Sequence, residues 1–191
     1  MTLLAASFLT ACDNENGNNV DVIWDITPVY FEIFITDSEG HDLLNPDFQN
    51  NLIKDITATY QGETYKVLTE QEQYEQRQGK ATTRYYYAHF DGLTLRPQWN
   101  YNTYTYDDNY ELVFGEFGGD ENVDMREFTI NLSDGHQVTL SYSISFRWKR
   151  NGDPEKKTKY YLNGQELTDQ AGKVGNYHFQ YTPTQGLTYI K

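Results

Sequence analysis

Cysteine is almost absent from these 191 residues, and the one present, Cys12, excludes an internal disulfide and a structural zinc site of the Cys-rich kind. Positive charge is scarce too. Fifteen Lys and Arg stand against 28 Asp and Glu, a formal charge of -13. Affinity for a polyanion comes mainly from cations that neutralise phosphates, so nucleic acid is excluded as a partner. No apolar run approaches the roughly 20 residues that a membrane-spanning helix needs. Catalytic signatures are missing: there is no Gly-x-Ser-x-Gly, and His41, His89, His136 and His178 stand far apart, two of them in or beside turns. A glycosidase-like carboxylate pair means nothing in a chain with this many acids. Aromatic residues, by contrast, abound. Seventeen Tyr, ten Phe and three Trp lift the hydrophobic fraction to 38%, enough for one core despite a mean hydropathy of -0.77.

The position of Cys12 supplies its explanation. Residues 1–11 are apolar and uncharged, the pattern of the hydrophobic part of a secretory signal. Leu9-Thr10-Ala11-Cys12 resembles the lipobox of bacterial lipoproteins, although Thr10 is an unusual choice at its place. In that motif small residues before the Cys admit the signal peptidase, and the thiol then receives a diacylglyceryl group. Acyl chains hold a protein at a membrane because each buried methylene contributes about 0.8 kcal/mol. The expected organisation is a signal peptide at 1–11, lipid attachment at Cys12, a flexible acidic tether at 12–21 and a single domain at 22–191. No Lys or Arg precedes the apolar run, so the reading frame is expected to extend upstream with basic residues. Asp13 and Glu15 look like the surface-export signals of Bacteroidota lipoproteins, which implies the outer membrane, at the cell surface or on its periplasmic face.

From Val20 onward short strands alternate with turns. Val29, Phe31, Ile33 and Ile35 occupy alternate positions of a strand over 29–36, ended by Asp37-Ser38-Glu39-Gly40. Strands at 56–60 and 63–68 flank Gln61-Gly62, a two-residue hairpin turn. Residues 70–80 read as an exposed loop or helical turn, and further strands are expected at 82–90, 110–117, 126–132, 137–149, 159–162, 177–181 and 187–190. The longest alternation is Val138, Leu140, Tyr142, Ile144, Phe146 and Trp148. Residues 147–157 form a basic hairpin tip, and Asn163-Gly164 makes another turn. Roughly nine to eleven short strands without crossover helices predict an all-β fold, an antiparallel two-sheet β-sandwich with few or no helices.

Residues 23–29 (Ile-Trp-Asp-Ile-Thr-Pro-Val), residues 37–46 and the Asn163-Gly164 hairpin resemble cell-surface lipoproteins of gut Bacteroidota that carry immunoglobulin-like β-sandwich domains. The resemblance spans most of the mature chain and implies the sandwich fold. It carries over no catalytic residue.

One segment concentrates the aromatics. Trp99, Tyr101, Tyr104, Tyr106 and Tyr110 alternate with amides and carboxylates, a mixture that stacks on sugar rings and bonds their hydroxyls. Tyr104 and Tyr106 would share a face if the run is a strand. Tyr packed into half-buried sheet surfaces is the competing explanation. Between Gln98 and Met125 lie Asp107, Asp108, Glu111, Glu116, Asp120, Glu121 and Asp124 without one cation, at a spacing that matches no Ca²⁺ loop. No metal, cofactor or catalytic residue is expected. The reading is a non-enzymatic lipoprotein that binds or presents an extracellular ligand, glycan being the class to test first. The alternatives are a component of a surface assembly or fimbria-like polymer and, after it, a glycan-active hydrolase.

Overall fold

The computed structural model describes residues 26–77, 90, 92–100, 103–169 and 175–190. Cys12, its flanking signal and tether, Tyr101, and all but Phe90 of the strand expected at 82–90 therefore lie outside the described residues. Among those described, eleven strands account for nearly all regular structure: β1 (Val29–Thr36), β2 (Ile56–Tyr60), β3 (Glu63–Leu68), β4 (Leu93–Asn100), β5 (Thr105–Phe117), β6 (Val123–Leu132), β7 (Gln137–Trp148), β8 (Pro154–Leu162), β9 (Gln165–Glu166), β10 (Asn176–Thr182) and β11 (Gly186–Tyr189). One helix, α1 (Glu70–Arg77), follows β3. The chain is all-β, as the alternation predicts.

The two-sheet antiparallel sandwich is not what forms. All eleven strands belong to one continuous mixed sheet in the order β11-β10-β1-β5-β4-β3-β2-β6-β7-β8-β9. The joint lies at β3, which is antiparallel to β2 on one side and parallel to β4 on the other through Val67↔Leu93 and Leu68↔Thr94. Two hydrogen-bonded register pairs suffice to make one sheet of what would otherwise be two. A second parallel pairing, β1 with β10 from Glu32↔Asn176 to Thr36↔Gln180, brings the late chain back beside its first strand.

The sheet curls around its own apolar face. Phe31 of β1 is fully buried and meets Phe128 of β6, Tyr142 of β7, Tyr160 of β8 and Tyr177 of β10, at ring separations of 4.7, 5.8, 5.5 and 5.7 Å. Those partners come from both ends of the strand order, which only a curled sheet can bring to one ring. Edge-to-face contacts dominate, as the aromatic quadrupole favours. Val29, Ile33 and Ile35 are as deeply buried as Phe31, so the alternation read from the sequence does mark the inner face. In β7 the same alternation runs inward from Val138 to Phe146, then emerges at Trp148, which is 56% exposed.

Local chemistry fixes the connections. Gln61 (φ 52°) and Gly62 (φ 82°), like Asn163 (φ 48°) and Gly164 (φ 78°), have two consecutive positive φ angles, the condition for a tight turn matched to the twist of its flanking strands. At the start of α1, the Thr69 N–H and hydroxyl both donate to Glu72 Oε2 at 2.8 and 2.9 Å, while the Glu72 N–H returns to Thr69 Oγ1 at 3.4 Å. This reciprocal capping is why the polar stretch takes the helical of its two expected states rather than the loop.

Strand direction gives the domain two ends. β5 runs from the β4–β5 turn down to Phe117, where it meets Val29 at the start of β1. Thirteen residues at about 3.3 Å each separate those ends by roughly 40 Å.

Candidate functional site

The β4–β5 hairpin carries most of the aromatic segment singled out above. β4 was not expected as a strand, although Leu93, Leu95 and Trp99 alternate with polar residues: Pro97, which has no N–H to give a ladder, stands inside it, and β5 supplies the pairing that makes it a strand. Pro97 stands opposite Tyr110 and Trp99 opposite Tyr106, so two residues advance on one strand against four on the other. Such a bulge twists the ribbon and re-aims its side chains. β1 pairs with β5 only over residues 112–117, and Thr105, Tyr106, Asp108 and Asn109 are exposed. The distal half of the hairpin thus projects beyond the core.

Its tip is tied by short-range bonds. The Tyr104 N–H donates to Asn100 O at 2.9 Å, and the Thr103 N–H to Asn100 Oδ1 at 3.3 Å. Asn100 Nδ2 donates to both carboxylate oxygens of Asp107 at 3.2 Å, and the Thr103 and Thr105 hydroxyls lie 2.8 Å apart. Trp99 and Tyr106 face each other across the strands, ring centroids 4.9 Å apart and planes at 74°. Tyr106 is 63% and Tyr104 75% exposed.

Trp99, Tyr104 and Tyr106 are thus brought to one hairpin end. Tyr104 does not share a strand face with Tyr106: it occupies the turn, with φ 56°, in the left-handed region that non-glycine residues seldom adopt. Tyr110 belongs elsewhere. It is half-buried against the core, and its N–H donates to Asp42 Oδ2 at 2.8 Å, so it anchors the hairpin base.

A second cluster was not visible in the sequence. Arg96 of β4 donates from Nε to Glu111 Oε1 of β5 at 2.6 Å and from Nη2 to Glu32 Oε1 of β1 at 3.0 Å. Glu111 is 2% exposed, and the Glu32 side chain 14%. Burial, followed by the charge of Glu111, pushes the Glu32 carboxyl up to about 7 against the pull of Arg96. Glu111 is raised as well, again by burial with Arg96 opposing. The one available signal was an acid set inside each of two apolar strand runs, residues 29–36 and 110–117.

The remaining acids disperse. Asp107 serves the tip, Glu111 the arginine cluster, and Glu121 pairs with Arg126 at 3.3 Å. Among the described residues no three of His, Cys, Asp or Glu converge on a point that could hold a metal ion. No family model matches the chain, and neither does any curated protein or solved structure.

Proposed function

We propose that this chain is a non-enzymatic lipoprotein, fastened to the outer membrane through Cys12, whose domain captures extracellular glycan on the β4–β5 hairpin. The observation that carries the reading is the pair of largely exposed tyrosines, Tyr104 and Tyr106, grouped with Trp99 on a projecting tip. Most of the aromatic excess has a plain structural use: Tyr60, Tyr142, Tyr160 and Tyr177 are buried in the core. The tip aromatics have no such use. Rings left facing water gain by stacking on the C–H faces of a sugar, and Asn100, Thr103, Thr105 and Asp107 beside them supply bonds to hydroxyls.

The other readings draw less support. Edge-to-edge polymerisation would have to use the outer edge of β8, which β9 pairs only at Tyr161 and Leu162, and that edge carries Pro154, Lys156, Lys157 and Lys159, residues of the kind that keep strands from adding there. Hydrolysis needs a carboxylate presented to substrate, whereas Glu32 and Glu111 are both committed to Arg96.

The test is a glycan array on the full chain followed by calorimetric titration of whichever sugar is retained. Trp99→Ala and Tyr106→Ala should each weaken binding about tenfold or more, since a stacked ring contributes on the order of 1 kcal/mol or more beyond its buried area. Retention of no sugar by the wild type, or undiminished binding by both variants, would overturn the assignment.

A further inference from the structure

The opposite end of the domain has its own surface feature. The β7–β8 hairpin carries five cations and two carboxylates between Arg147 and Lys157, a net +3 in a chain whose total is -13. Arg147, Lys149, Arg150 and Lys157 are exposed. Trp148 is 56% exposed as well, set edge-to-face on Phe146 at 5.4 Å. Nothing in the core requires a tryptophan there.

Two contacts locate this hairpin relative to the start of the fold. Lys156 Nζ donates to Thr27 O, directly before β1. The Phe146 N–H donates to Asn122 Oδ1 at 2.8 Å, which sets the acidic 120–124 loop beside the hairpin's base. β7 runs four residues past Ile144, its partner opposite the start of β6, so the tip reaches about 13 Å beyond that strand. Lys149 and Arg150 therefore project past the acids of that loop, while Lys156 and Lys157 sit nearer the hairpin's base and Arg147 is paired with Glu155. The aromatic tip lies at the other end of β5.

We infer that the β7–β8 hairpin docks on a membrane surface of anionic phospholipid headgroups, holding the domain with its aromatic β4–β5 tip directed away from the bilayer. The orientation rests on the anchor reading: Cys12 lies fourteen residues before Ile26, a reach of at most about 50 Å, and the chain enters the fold beside the basic hairpin. Cations near an anionic leaflet add to the hold of an acyl chain, and an exposed Trp suits the headgroup layer, where its ring is half solvated. The inference goes beyond glycan capture because it gives that capture a direction.

The experiment uses the full chain carrying Cys12→Ser, which has no acyl chain, in co-sedimentation with vesicles of phosphatidylcholine alone or mixed with phosphatidylglycerol. Binding is expected only to the mixed vesicles, falling with added salt, with a blue shift of tryptophan emission that Trp148→Ala removes. The triple variant Lys149→Glu, Arg150→Glu, Lys157→Glu should lose affinity about a hundredfold, while Tyr104→Ala keeps it. Circular dichroism checks that each variant is folded before its binding is read. Equal binding to both vesicle types, or undiminished binding by the triple variant, would overturn the inference. So would absence of vesicle binding together with salt-sensitive self-association that the triple variant abolishes, which would assign the hairpin to a second copy of the chain. Mass spectrometry of the native protein reads the anchor separately: an unmodified Cys12 refutes the anchor whatever the vesicles show.

Discussion

Replacing Glu32 by Gln tests whether the Arg96 cluster is as electrostatically frustrated as its geometry implies. Two buried carboxylates share one guanidinium, which leaves one excess negative charge where water is largely excluded. The Glu32 carboxyl is consequently raised from 4.5 to about 7, so between those pH values the folded protein binds a proton that the unfolded chain has released. Stability must then fall as pH rises through that window. At 1.36 kcal/mol per pH unit, the shift corresponds to at most roughly 3 kcal/mol lost by pH 8. Glu32→Gln keeps the shape without the titration. It should match the wild type at pH 5 and exceed it at pH 8 by up to about 3 kcal/mol, measured by urea denaturation at the two pH values. His41, raised by its hydrogen bond to Asp37, and His178, lowered by burial, are common to both proteins and cancel in the difference between them. A pH-independent difference would refute the reasoning.

Three further expectations follow from the packing. Arg96→Met strands both carboxylates and should cost about 3–5 kcal/mol at pH 8 but clearly less at pH 5, where the acids take up protons; an equal loss at both would mean that packing alone is involved. Phe31→Ala empties the site where five aromatic rings meet and should lower the urea-derived stability by about 3–5 kcal/mol. A loss below about 1 kcal/mol would show that the sheet does not close on this ring as described. Gly175→Ala places a Cβ 2.7 Å from Tyr30 O and 2.8 Å from the Tyr160 ring at φ +76°, whereas Gly152→Ala, at φ +85°, meets nothing within 4 Å. Thermal denaturation should therefore show a much larger drop in Tm for the first than for the second, which carries backbone strain alone.

Local structure was legible wherever a residue's neighbours in sequence are also the neighbours that decide its state. The bounds of β1, β2 and β3, the inward faces of β1 and β7, and the turns at Gln61-Gly62 and Asn163-Gly164 all follow from side-chain alternation and from residues that accept positive φ. The aromatic hairpin was half legible. Its composition marked it as a candidate, but the strand around Pro97, the turn position of Tyr104 and the inward role of Tyr110 depend on pairing with β5 and on Asp42.

Alternation states which face of a strand is apolar and is silent about which strand lies beside it. Whether eleven strands form two sheets or one was settled by the two residue pairs between β3 and β4, and the path of the late chain by a parallel pairing of β1 with β10, 144 positions apart at Glu32 and Asn176. The Arg96 cluster joins residues 15 and 64 positions apart, and the basic hairpin meets the start of the fold across 129. The sequence by itself determined that the chain would be β, aromatic-cored and turn-punctuated, because those are properties of short windows. Tertiary structure alone decided the single curled sheet, the buried carboxylates and the two opposed ends, because hydrogen bonding between distant strands and burial under them are not encoded in any local period.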